Sequence, residues 1–433
     1  MTNFAAMGDF WTFLDEQAEA DPARLLLSQR SWPELPSELS ELEGRISPRD
    51  LAVNTLVVRR RIRKRLPSWS ACPRLVYPLP LSAEQCSSEQ TARYKARLAA
   101  SLFPEPGRKP RIADLTGGLG VDALAFGQIA EEVLYSEMNP LLTAAARHNL
   151  KMLGARNIQV VNRELLPGKL AETLGGFDAD LLFLDPGRRV SGGRKVFRLE
   201  DCAPDVLKLL PELLSTCRNV LLKLSPMADI TRLLKQFETA AETGGNTVRE
   251  IHVVASGGEC KELLFRLDRE YAGSLSLVCS ESGNTMTFDP AEESQAACRL
   301  PADRADLKGY LFEPGKALLK AGMFNSFGSR FGLVKLGRHT HLYIAETPSE
   351  ALSRFGNLFV IKEISPLNKR TIKEIGKHFP QADVSARNIP MSSEELAKRL
   401  DVVSGGGVHL FGTRVDFTSA PGEKVLLVCE RLP

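Results

Sequence analysis

Long apolar runs, clustered cysteines and metal-ligand spacings are all missing from this sequence of 433 residues. No apolar stretch approaches the roughly 18 residues that a membrane-spanning helix needs, and the N-terminus lacks the basic-then-apolar pattern of a signal peptide. The eight cysteines are scattered, without a C-x-x-C pair, which favours reduced thiols over a disulfide framework or a zinc site. The six histidines show no metal spacing. We therefore expect no membrane segment and no metal, and a cytoplasmic location.

Internal repeats, low-complexity segments and a strong net charge are missing too. The chain has 56 Lys and Arg residues against 53 Asp and Glu residues, a formal charge of +3. Binding to a polyanion would therefore depend on local basic patches rather than on the overall field. The length exceeds one ordinary core and predicts about two to four domains.

What the sequence does contain is a strand, a glycine loop and a helix between Arg111 and Asp122. An apolar run ends at Asp114, glycines follow, and an alanine-rich helical segment comes next. Such a unit presents backbone N–H groups and a positive helix N-terminus to a ligand. The segment 118–123 fits the dinucleotide fingerprint G-x-G-x-x-[GA], a weak signal by itself. Because a carboxylate at Asp114 would lie near a pyrophosphate, the loop favours S-adenosylmethionine over NAD; a purely structural glycine turn is the alternative.

Further acids follow later strands of the pattern. Glu137 ends a second predicted strand about 20 residues after the loop, where an acid would hold ribose hydroxyls. Glu164 follows a third strand, Asp185 directly follows a fourth apolar strand, and Lys223 lies near the end of a fifth. Strands that alternate with helices at this spacing indicate a parallel, doubly wound sheet, with these polar side chains at its carboxyl edge.

Together these motifs resemble a class I S-adenosylmethionine-dependent methyltransferase. They are Asp114-x-Thr116-x-Gly118-x-Gly120, Glu137-x-Asn139-Pro140, Glu164 and Asp185-Pro186-Gly187-Arg188-Arg189. More narrowly, they resemble a bacterial group with an Asp-Pro-x-Arg-Arg motif and a C-terminal THUMP-like domain. Segments that begin at Gln85, Tyr310 and Ala386 are also similar to that group. The resemblance covers most of the chain after about residue 80.

The resemblance implies an α/β fold, in which a Rossmann-like class I methyltransferase core carries an N-terminal helical region and small C-terminal α+β modules. We predict an N-terminal helical region at 1–103 and a methyltransferase domain at 104–272. A ferredoxin-like module is expected at 273–355 and a THUMP-like RNA-binding domain at 356–433.

The resemblance also implies the cofactor contacts. Asp114 would lie beside the methionine portion of S-adenosylmethionine, Glu137 would hold the ribose diol, and Glu164 would lie near the adenine. The full predicted set is Asp114, Thr116, Gly118, Gly120, Glu137, Glu164 and Asp185. An acid at a strand end is otherwise usually a helix cap, but four acids in register disfavour that alternative.

Asp185 and Pro186 occupy the position where amino-methyltransferases carry Asn/Asp-Pro-Pro and an aromatic residue. In those enzymes the side-chain oxygen and a proline carbonyl accept hydrogen bonds from an exocyclic amine and free its lone pair to attack. The resemblance therefore implies that Asp185 and Pro186 are catalytic. No metal is needed.

After Pro186 this chain departs from that pattern, since arginines replace the stacking aromatic. We predict that Arg188 and Arg189 bind the substrate, because guanidinium groups stack on bases and grip phosphates. An ion pair with Glu200 or Asp201 is the structural alternative.

THUMP-type modules bind RNA in tRNA-modifying enzymes, so the resemblance implies an enzyme that methylates a base in RNA, either tRNA or rRNA. The basic run 59–65 and a locally basic last module favour this reading, although a solvated helix face explains the run equally well. The basic residues of the last module are Lys369, Arg370, Lys373, Lys377, Arg387, Lys398 and Arg399. The alternatives are a methyltransferase for a protein or small molecule and a non-catalytic RNA-binding protein that retains the cofactor fold.

Overall fold

The computed structural model describes residues 9–27, 31–188, 199–241 and 247–432. The chain divides into two compact units, one of residues 1–249 with 265–273 and one of residues 250–264 with 274–433. Within the described ranges, no helix has both the length and the apolar character to cross a membrane.

The first unit begins with helices, as the sequence predicts. They are α1 (Phe10–Glu16), α2 (Pro22–Leu27), α3 (Pro48–Ile62), α4 (Pro67–Ser70), α5 (Pro80–Gln85) and α6 (Glu89–Ser101). The Ser47 side chain caps α3 by accepting a hydrogen bond from the Asp50 amide, and the Ser88 side chain caps α6 in the same way. Phe10, Trp11 and Leu51 lie in the buried apolar cluster that holds these helices together.

The basic run at the end of α3 is committed mainly to contacts inside this unit. Arg59 donates to the carbonyl oxygens of Pro73 and Leu75, and Arg60 Nη2 lies 2.9 Å from the carbonyl oxygen of Ala18. The other arginines contact carboxylates or carbonyls as well: Arg61 with Glu84, Arg63 with Glu19, and Arg65 with the carbonyl oxygens of Ala83 and Glu84. These contacts favour a structural role for the run over a phosphate-binding one.

A parallel sheet follows, with helices between its strands. The elements of this part of the chain are β1 (Arg111–Asp114), α7 (Val121–Gly127), β2 (Glu132–Glu137), α8 (Pro140–Met152), β3 (Ile158–Asn162), α9 (Leu170–Leu174), β4 (Leu181–Leu184), β5 (Gly187–Arg188), β6 (Cys202–Ala203), α10 (Val206–Thr216), β7 (Asn219–Leu224) and α11 (Ile230–Ala240). Of these strands, β5 and β6 form a separate antiparallel pair. The strand order is β3-β2-β1-β4-β7, and every neighbouring pair is parallel. Asp114 is in register with Tyr135 and Phe183, so the carboxyl ends of the central strands lie side by side. The predicted α/β core is confirmed.

The second unit is built mostly from strands. Its elements are β8 (Val248–Ser256) and β9 (Glu259–Asp268), which the division between the units cuts, then β10 (Ser276–Glu281), β11 (Asn284–Phe288), α12 (Pro290–Gln295), β12 (Tyr310–Pro314), α13 (Lys316–Ala321), α14 (Phe324–Arg330), β13 (Val334–Gly337), β14 (Thr340–Ala345), α15 (Glu350–Ser353), β15 (Gly356–Pro366), α16 (Lys369–His378), β16 (Asp383–Arg387), α17 (Ser393–Leu400), β17 (Val408–Val415) and β18 (Glu423–Arg431).

Seven of these strands form one sheet in the order β13-β14-β12-β15-β18-β17-β16. A single apolar cluster contains Leu311 and Leu336 from before residue 355 together with Phe359, Phe411 and Leu427 from after it. A second cluster packs α16 and α17 against the sheet. The two small modules that the sequence predicts therefore share both a sheet and a core.

Candidate active site

The glycine loop between β1 and α7 is fixed by contacts with β2. The Gly117 amide donates to the Ser136 carbonyl oxygen at 2.9 Å, and the Gly118 amide donates to Glu137 Oε2 at 2.9 Å. Gly118 and Gly120 have φ values of +53° and +89°, which favour glycine. A Cβ at Gly117 would lie 2.2 Å from the Tyr135 ring. Gly117 was not among the predicted site residues, and the doubled glycine was the signal for it.

Asp114 is the most deeply buried acid of the predicted site, with 1% of its surface exposed. Its Oδ1 accepts a hydrogen bond from the Thr116 amide at 3.2 Å. Burial is the main cause that raises the pKa of Asp114 well above its ordinary value, and the nearby carboxylate of Asp122 raises it further. Asp185 and Glu137 act in the same direction. A cation at this edge of the sheet would favour the ionised form of Asp114.

Glu137 is held at the end of β2 by two backbone amides. Its Oε2 accepts from Gly118, and its Oε1 accepts from the Asn139 amide at 2.7 Å. The Asn139 side chain in turn caps α8. Because each carboxylate oxygen can accept more than one hydrogen bond, these contacts orient Glu137 and leave it able to accept from a diol.

Glu164 lies two residues beyond the end of β3 and is exposed. Within the described residues, its carboxylate makes no hydrogen bond or ion pair, and only its backbone carbonyl accepts, from Thr173 Oγ1 at 3.4 Å. The structure thus places Glu164 near the carboxyl edge of the sheet without fixing its side chain.

Asp185 connects three strands. Its amide donates to Thr116 Oγ1 at 2.6 Å, which links the end of β4 to the loop after β1. Lys223 Nζ from β7 donates to Asp185 Oδ2 at 2.5 Å, with 12% of the Lys223 side chain and 33% of the Asp185 side chain exposed. In the described part of the chain, Asp185 Oδ1 makes no hydrogen bond, and Pro186 is buried next to it. The carboxylate therefore has one oxygen bound by an ammonium group and one oxygen available.

The predicted substrate-binding arginines fall largely outside what the structure describes. The backbone of Arg188 pairs with Cys202 in the two-stranded sheet β5–β6, but its side chain and the whole of Arg189 are outside the described residues. Glu200, one of their alternative partners, accepts from Gln236 Nε2 at 2.7 Å and lies 3.6 Å from Arg232 Nη2. The role of both arginines stays a prediction.

A buried ion pair lies next to the glycine loop, and sequence reasoning did not find it. Lys95 Nζ from α6 is 3.1 Å from Asp122 Oδ1 and 3.0 Å from Ser87 Oγ. Ser87 Oγ donates to Asp122 Oδ2 at 2.7 Å. Lys95 has 0% of its surface exposed, and Ser87 and Asp122 are also buried. The sequence signal was the segment that begins at Gln85, which resembles the methyltransferase group.

The charges of this edge fit a cationic ligand. Four carboxylates (Asp114, Asp122, Glu137 and Asp185) are accompanied by the two ammonium groups of Lys95 and Lys223. Across the described ranges, no group of three or more His, Cys, Asp or Glu side chains could hold a metal ion. The ammonium and sulfonium groups of S-adenosylmethionine suit this surplus of negative charge.

The basic residues of the last module concentrate on α16 and α17. Lys369, Lys373 and Arg399 line a depression of about 660 Å³. Arg399 is also paired with Glu395 at 2.6 Å. Arg387 lies elsewhere and is bound by Glu313 at 2.7 Å. The lysines of α16 and Lys398 of α17 are exposed members of the predicted basic surface.

Comparisons with known proteins bear on both units. A family model described as a ferredoxin-like domain matches residues 310–352, and one described as THUMP domain-like matches residues 356–431. A crystal structure of a protein from Porphyromonas gingivalis W83, named as a methyltransferase, has a TM-score of 0.80, 31% sequence identity and 98% coverage of both chains. An uncharacterized S-adenosylmethionine-dependent methyltransferase of Mycobacterium tuberculosis (strain ATCC 25618 / H37Rv) is 25% identical over 375 residues, 84% of this chain and 92% of that one. Ribosomal RNA small subunit methyltransferase J of Pseudomonas aeruginosa (strain UCBPP-PA14) is 30% identical over 96 residues, 21% of this chain and 36% of that one.

Proposed function

We propose that this chain, which belongs to a family of S-adenosylmethionine-dependent methyltransferases, methylates a base in RNA, either tRNA or rRNA. The observation that carries the proposal is the Asp185 carboxylate, bound on one side by Lys223 and open on the other, in a chain whose last domain presents exposed lysines on α16. The similarity of 96 residues to a ribosomal RNA methyltransferase supports an RNA substrate. We also propose that the four predicted segments, 1–103, 104–272, 273–355 and 356–433, are the domains of the chain. The proposed location is the cytoplasm.

The proposed cofactor contacts follow the carboxyl edge of the sheet. Asp114 supplies negative charge, the glycine loop lets the backbone approach the ligand, Glu137 accepts from the ribose hydroxyls, and Glu164 lies by the adenine. The set is Asp114, Thr116, Gly118, Gly120, Glu137, Glu164 and Asp185. S-adenosylmethionine, when bound, supplies a methyl group on a sulfonium, which a nucleophile displaces in line.

Asp185 is the proposed catalytic residue. Its Oδ1 accepts a hydrogen bond from an exocyclic amine of the base, which turns the nitrogen lone pair toward the methyl group and provides an acceptor for the proton released after transfer. Lys223 and Thr116 fix the other parts of Asp185, so the carboxylate is oriented before the substrate arrives. The Pro186 carbonyl is proposed as the second acceptor, and Arg188 and Arg189 as substrate contacts.

Transfer of a labelled methyl group from S-adenosylmethionine to RNA tests this assignment. At saturating S-adenosylmethionine, Asp185→Ala should lower turnover by about a hundredfold or more, the usual range for an acid–base group, while calorimetry should show a much smaller loss of cofactor affinity. Asp178→Ala, at an exposed position three residues before β4 begins, is the control and should leave turnover unchanged. An Asp185→Ala enzyme with normal turnover would refute the assignment, and label appearing in protein rather than RNA would refute the proposed substrate.

RNA binding by α16 needs a separate experiment. Lys369→Glu combined with Lys373→Glu should weaken RNA binding and reduce the salt dependence of the affinity by about 0.7–0.9 per lost phosphate contact. The control is Lys109→Glu with Lys308→Glu, which makes the same change of charge at exposed positions elsewhere. Equal RNA affinities for the two double variants would exclude α16 as the binding surface.

A further inference from the structure

We infer that Tyr135 is a positioning residue of the proposed cofactor site, because its hydroxyl holds the glycine loop in the conformation that receives the ligand. The hydroxyl donates to the Gly118 carbonyl oxygen at 2.5 Å, and the side chain has no exposed surface. Tyr135 lies in β2 and was not among the predicted site residues. The inference rests on the proposed binding of S-adenosylmethionine at this loop.

Three consecutive residues of β2 bind two consecutive residues of the loop. The carbonyl oxygen of Ser136 accepts from the Gly117 amide, and Glu137 Oε2 accepts from the Gly118 amide, each at 2.9 Å. Tyr135 adds the contact with the Gly118 carbonyl oxygen. The two peptide groups that flank the Cα of Gly118 are therefore both held, the first through its N–H by Glu137 and the second through its C=O by Tyr135.

A glycine in this loop needs an anchor outside the loop. Gly118 has a left-handed backbone, and a glycine without restraints samples many other conformations. Ordering a loop when the ligand binds costs conformational entropy and therefore lowers affinity, whereas a loop that is already held avoids this cost. Because Tyr135 is fully buried, it acts on the ligand through the loop and not by direct contact.

The ring and the hydroxyl of Tyr135 fix different parts of the loop. The ring lies against Gly117, where a Cβ would come within 2.2 Å of it, while the hydroxyl binds Gly118. Burial raises the pKa of Tyr135 well above its ordinary value, and the nearby carboxylates of Glu137 and Asp114 raise it further. The hydroxyl therefore stays protonated and remains a donor near neutral pH. Replacement by phenylalanine removes this donor and keeps the ring.

The test is Tyr135→Phe in the full chain. Calorimetry should show an affinity for S-adenosylmethionine about 3- to 10-fold lower than that of the wild type, the effect expected of one hydrogen bond. In the methyl-transfer assay, KM for the cofactor should rise by a similar factor and turnover at saturating cofactor should stay nearly unchanged, because the lost order affects binding and not the chemical step. Hydrogen exchange of the amides at 117–120 should be faster in the cofactor-free variant than in the cofactor-free wild type.

Tyr343→Phe is the matched control. The Tyr343 side chain is also fully buried, and its hydroxyl donates to a backbone carbonyl oxygen, that of Phe324, at 2.9 Å in the second unit. This variant should lose a similar amount of stability in urea denaturation and leave both the cofactor affinity and the exchange of the loop amides unchanged. A purely structural role for Tyr135 predicts that Tyr135→Phe behaves in the same way as this control.

An unchanged cofactor affinity in Tyr135→Phe would overturn the inference, as would an equal loss of affinity in Tyr343→Phe. Glu137→Gln separates this failure from a failure of the proposed cofactor site, since Glu137 is the acid proposed to hold the ribose. If Glu137→Gln weakens binding and Tyr135→Phe does not, only the inference about Tyr135 fails. If Glu137→Gln binds S-adenosylmethionine as the wild type does, the proposed site fails and the inference fails with it.

Discussion

Replacing Asp114 with Asn should stabilise the cofactor-free protein near neutral pH and weaken the binding of S-adenosylmethionine. The buried carboxylate has its pKa raised well above the ordinary value by burial and by the charge of Asp122. Keeping it ionised in the folded state therefore costs free energy. Asn has nearly the same shape, and its side-chain oxygen can still accept the hydrogen bond that the Thr116 amide donates at 3.2 Å.

The sign follows from proton linkage. A folded-state pKa above the unfolded value of 3.8 gives a stabilising contribution that is complete below that value and is lost as pH rises through the raised pKa. The wild type should therefore lose up to about 1.4 kcal/mol per pH unit in this window through Asp114, and the Asn variant should not. A hydrogen bond to a charged group contributes about 1.5–3 kcal/mol, so the variant should bind the cofactor about 10- to 150-fold more weakly.

Urea denaturation of the cofactor-free protein from pH 4 to pH 8 measures the stability difference, and calorimetry measures the affinity. The two curves of unfolding free energy against pH should have different slopes and diverge as pH rises, with the Asn variant the more stable protein. Equal slopes together with an unchanged dissociation constant would refute the reasoning, because they would mean that Asp114 neither carries a costly charge nor meets the cofactor's cation.

Three further predictions concern packing. Gly117→Ala should cost about 1–3 kcal/mol of unfolding free energy in chemical denaturation, because its Cβ would lie 2.2 Å from the Tyr135 ring. In the control Gly118→Ala, the new Cβ meets nothing nearer than 3.8 Å, and the left-handed backbone alone should cost about 1 kcal/mol. Equal costs for the two variants would contradict this reasoning. Truncation after residue 355 removes Phe359, Phe411 and Leu427 from the core that they share with Leu311 and Leu336. The truncated protein should therefore aggregate in gel filtration or appear partly unfolded by circular dichroism. A well-folded fragment would show that the two modules are separable. Gly376→Ala should destabilise the α16–α17 pair in hydrogen exchange, since its Cβ would lie 1.8 Å from the Leu400 carbonyl oxygen, while protection in β1 to β4 should not change.

The local sequence pattern determined the parallel sheet and the edge at which several of the site residues lie. Apolar runs of strand length that alternate with helical periodicity predicted the parallel sheet, because both faces of such a sheet are covered and its strands become continuous apolar segments. The chain direction then placed Asp114, Glu137 and Asp185 at one edge, since parallel strands share a carboxyl end. Glycines with left-handed backbone at 118 and 120 were readable for the same local reason.

Only the tertiary structure decided which charged groups meet. Lys223 and Asp185 are 38 residues apart, and Lys95 and Asp122 lie on different helices, so no local spacing encodes either pair. The same holds for the basic run 59–65, where the sequence left a solvated face and a phosphate site equally open. Its arginines are bound instead by carbonyls and carboxylates of neighbouring elements. A sequence records where charged and apolar side chains occur along the chain. Packing then removes water from particular side chains, and each buried charge is stabilised by the partner that the fold brings to it.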